Sequence, residues 1–321
     1  MSRPAPTRGA EVASVVVYEQ LEQARSAWRQ LEETAPHAVF QTWQWLDPWQ
    51  RHVGAPAGIS PLVAVAWDPR GAPLVVWPMG RVSHGPMRVL TGLGGALSDY
   101  QGPLVAPAAL AASPAARAAL WDQVLGALPL ADVARFHRIP ASLGGHAHPL
   151  LAGRVQRAPA DSHAVELPAS WDALYRDRCS SRTRASNRRK LKKLARHGEV
   201  VFEVAETASA RLALLPTALA LKSAGYARLG VEDLFAHPGR RAMLEELARQ
   251  PASPLHVSAL RVGGVVRASH VGAVYGGTLS FLFPGYLDDA LAAQSPGAEL
   301  CRRAEGSPHS RGRIGVLRTQ A

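Results

Sequence analysis

The sequence predicts an α/β fold large enough for two domains. The chain has 321 residues, 47% apolar and 19% charged, which describes a globular protein with more residues than one ordinary core needs. Segments with helical spacing alternate with short apolar runs along most of its length. The third observation is the stretch 255–297, LHVSALRVGGVVRASHVGAVYGGTLSFLFPGYLDDALAAQSPG, which reads as a three-stranded meander leading into a helix. Gly263-Gly264 and Gly276-Gly277 separate its strands, and glycine enters positive φ without a Cβ penalty.

Residues 1–10 read as a flexible N-terminus and Val12–Val17 as a first strand. Leu21, Ala24, Trp28 and Leu31 recur at helical intervals. Phe40, Trp43, Leu46 and Trp49 do the same in a short helix interrupted near Pro48; most of these rings suit a core, with Trp45 a candidate to face a substrate. Leu62–Trp67 and Pro73–Met79 form a hairpin around Asp68-Pro69-Arg70-Gly71. The glycines at 92, 94 and 95 lack the spacing of a dinucleotide fingerprint. Asp99 and Tyr100 follow, as a turn acid with a half-buried ring or as a pocket rim. Pro114–Leu128 is an alanine-rich helix, and Ala131–Ile139 reads as a strand. Ser170 caps a helix carrying Trp171, Leu174 and Tyr175. A basic helix spans 176–197 and ends at Gly198, a strand covers Val200–Val204, and helices cover Ala208–Ser223 and Arg240–Arg249. The organisation expected is a flexible end at 1–10, halves at 11–165 and 166–305, and an irregular tail at 306–321.

Composition excludes several classes. Two cysteines, Cys179 and Cys301, supply neither a disulfide framework nor a thiolate metal site, and a reducing, cytoplasmic setting is the natural reading. No run approaches the ~20 apolar residues of a spanning helix, and no signal peptide is read at the start. His137, His146, His148 and His163 form no metal-ligand motif, so no metal is expected. The charge of +11, from 36 basic against 25 acidic residues, favours anionic partners. The basic helix concentrates that charge, with Arg188, Arg189 and Lys192 as candidate anion contacts. Nucleic-acid phosphates, a nucleotide-bearing cofactor and an anionic membrane surface are all open as partners. No recognisable nucleic-acid reader accompanies it. Ser295-Pro296-Gly297 reads as a helix start, where backbone amides can meet an anion.

Five segments stand together: FQTWQWLDPW, SDYQGPLV, SRTRASNRRKLKKLARHGEV, the meander SALRVGGVVRASHVGAVYGGTLSFLFPGYLDD, and AAQSPG. In this order, over roughly residues 35–300, the chain resembles the bacterial CelD-like GNAT-type acetyltransferases associated with cellulose biosynthesis, relatives of the FemAB-type double-GNAT transferases. The resemblance implies a mixed sheet with flanking helices in two GNAT-like halves. It implies acyl-CoA, acetyl-CoA foremost, as co-substrate, with its pyrophosphate at Ser295, Pro296 and Gly297. Transfer would go to an amine, a small molecule or glycan precursor. His270, Tyr286 and Asp288 are the candidate catalytic groups, and Trp45, Asp99 and Tyr100 the candidate substrate pocket. The family continues after the Ser-Pro-Gly helix into a further strand. Here CRRAEGSPHSRGRIGVLRTQA follows, so a missing strand, an unpaired sheet edge and an incomplete second half are expected. Two other functions compete: a Fem-type transferase using aminoacyl-tRNA, and a non-catalytic GNAT-like scaffold or binding protein.

Overall fold

The computed structural model describes residues 11–152, 155–158, 162–166, 170–305 and 313–317. The chain divides into two compact units, Met1–Ala158 and Pro159–Ala321. The first unit contains β1 (Ser14–Tyr18), α1 (Leu21–Glu32), α2 (Trp43–Trp49), β2 (Ser60–Trp67), β3 (Pro73–His84), β4 (Met87–Gly92), β5 (Leu104–Val105), α3 (Pro107–Leu110), α4 (Pro114–Gly126), β6 (Val133–Arg135) and the small pair β7 (Ser142–Leu143) and β8 (His146–Ala147). Its sheet runs β1-β2-β3-β4-β6, with β5 also on β3. β4 and β6 are parallel, pairing Val89–Thr91 with Val133–Arg135; every other pairing described in this sheet is antiparallel.

The predicted helical spacing of α1 is its buried stripe: Leu21, Ala24, Ala27, Trp28 and Leu31. Trp28 is fully buried, and its indole N–H donates to the Gln41 carbonyl at 3.0 Å. In α2 the Thr42 hydroxyl accepts from the Trp45 amide, and beyond Pro48 the helix widens into a π turn at Gln50–Gly54. Trp77 meets Trp121 and Phe136 edge-on or tilted, at 5.8 and 5.0 Å between ring centres. β4 lies where no strand was expected, and the predicted strand at 131–139 shrinks to the three residues of β6.

The second unit contains β9 (Ser162–Glu166), α5 (Trp171–Arg178), α6 (Ser181–Leu194), β10 (Val200–Val204), α7 (Ala208–Leu229), α8 (Pro238–Arg249), β11 (Leu255–Val262), β12 (Val265–Tyr275), β13 (Thr278–Tyr286), α9 (Pro296–Glu305) and β14 (Arg313–Leu317). The strand order is β10-β11-β12-β13-β14-β9. The unit therefore takes in β9 and begins earlier than the expected boundary at 166. The basic run breaks at Cys179-Ser180, where the Ser180 hydroxyl accepts from the Thr183 amide and starts a new helix. Gly198 then takes φ 126°, and a Cβ there would lie 2.5 Å from the Gly263 Cα, so only glycine fits between α6 and the hairpin turn.

Helices cover both faces of this sheet. Leu260, Val262 and Ala268 pack with Leu194 of α6 and Leu300 of α9. On the opposite face Phe283 packs tilted against Phe235 with ring centres 4.5 Å apart, and Gly285 lets α7 close on β13: a Cβ there would meet the Leu221 side chain at 2.9 Å. Arg211, buried, ties the start of α7 to the end of α8 by donating to the carbonyls of Glu206, Ala248 and Gln250.

The expected missing strand is present. β14 pairs in parallel with β13 and antiparallel with β9, so the tail is not wholly irregular and β13 is not an edge along its first half. Five residues suffice because ladder bonds are made by the backbone, and RIGVL keeps β-branched residues at alternate positions. Residues 306–312 and 318–321 lie outside the described residues.

A bulge between Val271 and Gly272 marks the centre of the sheet. A Cβ on Gly272 would sit 2.5 Å from the Ser280 carbonyl oxygen and 2.8 Å from the His270 ring, with backbone on one side unable to give way. Gly272→Ala is expected to destabilise the chain by about 2 kcal/mol, read as a lower urea midpoint; an unchanged midpoint would refute this packing.

Candidate active site

The parallel pair β13–β14 and its connection α9 make one βαβ crossover. Pairing with β14 covers only Thr278–Phe281, while β13 continues to Tyr286. Over 282–286 β12 is its only strand neighbour among the described residues. The strands part, and backbone groups of β13 are left open on that side. Beyond Tyr286 the chain turns and enters α9 at Pro296, so the helix N-terminus lies at the carboxyl end of β13.

Ser295 governs this turn. It is one of two non-glycine residues with positive φ among those described (φ 54°), and its carbonyl accepts from the amides of Ala298 and Glu299 at 3.1 and 3.3 Å. Pro296, at the first helical position, has no N–H to leave unpaired. Nothing lies within 4 Å of where a Cβ on Gly297 would be, so the approach to the first turn is open. Lys190 of α6 donates its ammonium to the Ser295 hydroxyl at 2.8 Å. Glu299, the acid of the first turn, is held by Arg302 and Arg303, which offsets its repulsion of an anion. A helix N-terminus, an open glycine and an anchored ammonium form a cradle that suits a phosphate group. Arg188, Arg189 and Lys192, the cations singled out in the sequence, are exposed and make no bond to this turn among the described contacts; Lys190 does. The signal was its phase, because Lys190 stands four residues before buried Leu194 on the inward stripe.

At the strand end, Tyr286 and Asp288 come together through Arg228 of α7. Its guanidinium lies 4.7 Å over the Tyr286 ring and 3.5 Å from the Asp288 carboxylate. The neighbouring Asp289 carboxylate pairs with Arg267 and accepts from the Leu291 amide. Nearly two turns earlier in α7, the Lys222 ammonium sits 4.4 Å over the Tyr226 ring. Burial lowers the Lys222 pKa, partly offset by Asp233, and burial with Asp233 raises that of Tyr226. Arg228 lies in the last turns of α7, which runs to Leu229, beyond the end at Ser223 that the sequence predicts.

His270 belongs to the core, correcting the expectation of a reachable base. It is fully buried, stacks on Phe281 at 3.8 Å, and neither ring nitrogen has a hydrogen-bond partner. Burial, with the His256 ring 5.4 Å away, holds its pKa well below the ordinary histidine value. Trp45 is likewise fully buried: its indole N–H donates to the Ser98 hydroxyl at 3.0 Å. Asp99 and Tyr100 are half-buried in the first unit, where Arg138 reaches the Asp99 carboxylate at 3.5 Å. Among the described residues no three His, Cys, Asp or Glu side chains gather as a metal site, and no helix is long and apolar enough to cross a membrane.

The structure aligns with that of FemX at a TM-score of 0.62 and 10% identity, covering 95% of this chain and 89% of that one. L-PGS from Bacillus licheniformis aligns at a TM-score of 0.46 and 13% identity over 93% of this chain and 78% of its own. A conserved protein of unknown function from Bacteroides thetaiotaomicron VPI-5482 aligns at 0.46 and 12% identity, over 94% and 89%. The FemX likeness shows the fold across both units, a mixed sheet with flanking helices; the two lower scores add nothing to it. No curated protein sequence matches the chain. Residues 181–307, from the start of α6 past the end of α9, match the family described as acetyltransferase (GNAT) domain.

Proposed function

We propose that the chain is an N-acyltransferase that takes an acyl group, acetyl foremost, from acyl-CoA and passes it to an amine. The observation that carries this reading is the cradle at the start of α9, with Lys190 on Ser295 and open space at Gly297, set where β13 and β14 part. The pyrophosphate would meet the first-turn amides and Lys190. The amide-bearing arm of the donor would lie along the open edge of β13, hydrogen-bonding as an added strand does. The acceptor would approach near Tyr286 and Asp288, the exposed ionisable groups at the strand end. An amine arriving protonated must lose a proton before attack, and Asp288 would be the carboxylate that receives it. Attack forms the C–N bond, and collapse of the tetrahedral intermediate breaks the C–S bond and releases the thiol.

Gly297→Val tests the cradle. With nothing near the new side chain in the fold, thermal stability should hold while acetyl-CoA affinity falls at least about tenfold by calorimetry. Unchanged affinity would remove the turn from the site.

A second reading, a Fem-type transferase using aminoacyl-tRNA, has its own observation. Arg182, Arg188, Arg189, Lys192, Lys193 and Arg196 are exposed without an acidic partner among the described residues, and α6 contains no acid to balance them. Such a face suits phosphates. Filter binding of bulk tRNA at two salt concentrations separates the readings: salt-sensitive retention supports the second and its absence dismisses it. A link to exopolysaccharide or cellulose production, and contact with an anionic membrane, rest on the resemblance and the basic helix alone.

A further inference from the structure

The first unit repeats the arrangement that makes the donor cradle. Its sheet also has one parallel pair among the described strands, β4–β6, and a connection that crosses between them. Ligands in such sheets collect beyond the carboxyl ends of parallel strands. Here that place is closed by the loop after β4 and the segment after β6. Arg138, with φ 54°, accepts from the Gln101 amide through its carbonyl at 3.1 Å. Its Nη1 donates to the carbonyls of Ala96 and Ser98 at 3.1 and 2.8 Å and reaches Asp99 Oδ1 at 3.5 Å. A left-handed arginine held by this many bonds is a built feature.

The same groups are incompletely used. Asp99 Oδ2 and the Nε and Nη2 of Arg138 have no partner among the described residues, although the Asp99 side chain is only 11% exposed. His148 adds a third unspent group. It is 2% exposed, and its Nδ1 accepts from the Leu150 amide at 3.2 Å, which places the proton of the neutral ring on Nε2. That Nε2 has no partner and lies against Gly102, where a Cβ would be 3.0 Å away. The helix after this loop, α3, has four residues and offers no terminus for a phosphate. The site therefore differs in kind from the cradle of the second unit.

We propose that Asp99 and Arg138 form a binding site for a free α-amino acid, the carboxylate taking its ammonium and the open edge of the guanidinium its carboxylate. In such a zwitterion the two charges flank one carbon, which matches an acid and a guanidinium 3.5 Å apart. Arginine presents the fork that a carboxylate requires. Tyr100, next to Asp99 in the chain, is half-buried with its ring centre 6.3 Å from that of Phe40. Burial holds the Asp99 carboxyl up at about 6, and an ammonium would take the place of that proton, so affinity should rise with pH from about 5 to 7. This site goes beyond the acyl-transfer reading and stands without it.

Saturation-transfer difference NMR on the intact chain tests the proposal, using an equimolar mixture of the twenty protein L-α-amino acids at pH 7.5. Parallel mixtures carry acetylated amines or amidated carboxylates. Signals are expected from one or more free amino acids and from neither blocked mixture. Asp99→Asn, nearly isosteric, should weaken the strongest binder at least about tenfold. Silence from all free amino acids, equal signals from the acetylated mixture, or undiminished binding by Asp99→Asn overturns the site. Urea unfolding of the same variant followed by tryptophan fluorescence, which reads the first unit, shows that the unit carrying the site is folded.

Discussion

Lys190→Glu is expected to weaken acetyl-CoA binding by about 30- to 100-fold while leaving the thermal midpoint nearly unchanged. The lysine is half-buried and its ammonium is already fixed on the Ser295 hydroxyl at 2.8 Å, so little side-chain freedom remains to be lost when an anion arrives. A charge-assisted contact of this kind is worth about 2 kcal/mol, roughly thirtyfold, and solvent-screened repulsion from the reversed charge adds up to about 0.7 kcal/mol more. Lys190→Arg should retain most of the affinity, and Ser295→Ala should lose less than the reversal, because the first-turn amides remain. Wild-type affinity should fall with added salt, and more steeply than that of the variant. Equal affinities for wild type and Lys190→Glu by titration calorimetry would refute the cradle. Loss of both binding and fold would assign the lysine to structure instead.

The same lysine shows how far the sequence could be read. The meander, the basic helix and the Ser-Pro-Gly helix start were legible because each depends on local chemistry: glycine pairs for turns, apolar phase for strands, a proline at the first helical position. Residue type alone did not separate Lys190 from Arg188, Arg189 and Lys192; its phase relative to Leu194 did. His270 misled because a polar residue in a central strand reads as functional, whereas this one is stacked on Phe281 and enclosed. Trp45 misled similarly, since its one polar atom is spent on Ser98. β14 has no signature in the sequence of the tail because its pairing is wholly non-local: β13 and β9, its two neighbours, come from opposite ends of the second unit. The Asp99–Arg138 contact, across 39 positions, has no local signature either.

Asp99→Asn is expected to stabilise the first unit by up to about 3 kcal/mol at pH 7 and to turn a shallow dependence of its stability on pH into a rising one. Burial raises the Asp99 carboxyl from 3.8 to about 6 despite Arg138, and that difference is worth about 3 kcal/mol between protonation states. The folded state thus holds this proton more tightly than the unfolded chain, so the Asp99 contribution falls as pH rises from about 4 to 6. His148 acts in the opposite sense. Burial lowers it from 6.5 to about 4, so its contribution is complete above pH 6.5 and is lost as pH falls through that range. His137, lowered by burial and by Arg135 and Arg138, adds in the same direction as His148. In the wild type these trends oppose one another and the profile between pH 4 and 6 should be shallow. An asparagine keeps an acceptor for Arg138 but has no proton to lose, so the variant should gain stability steadily from pH 4 to 6.5. His148→Gln should show the reverse, a decline over the same interval. Seven of the eight tryptophans lie within residues 1–158, so urea unfolding followed by tryptophan fluorescence reports this unit. Parallel profiles for wild type and Asp99→Asn would show that Asp99 is not held protonated near neutrality. A variant less stable at pH 7 would show that its bond to Arg138 outweighs the burial of its charge.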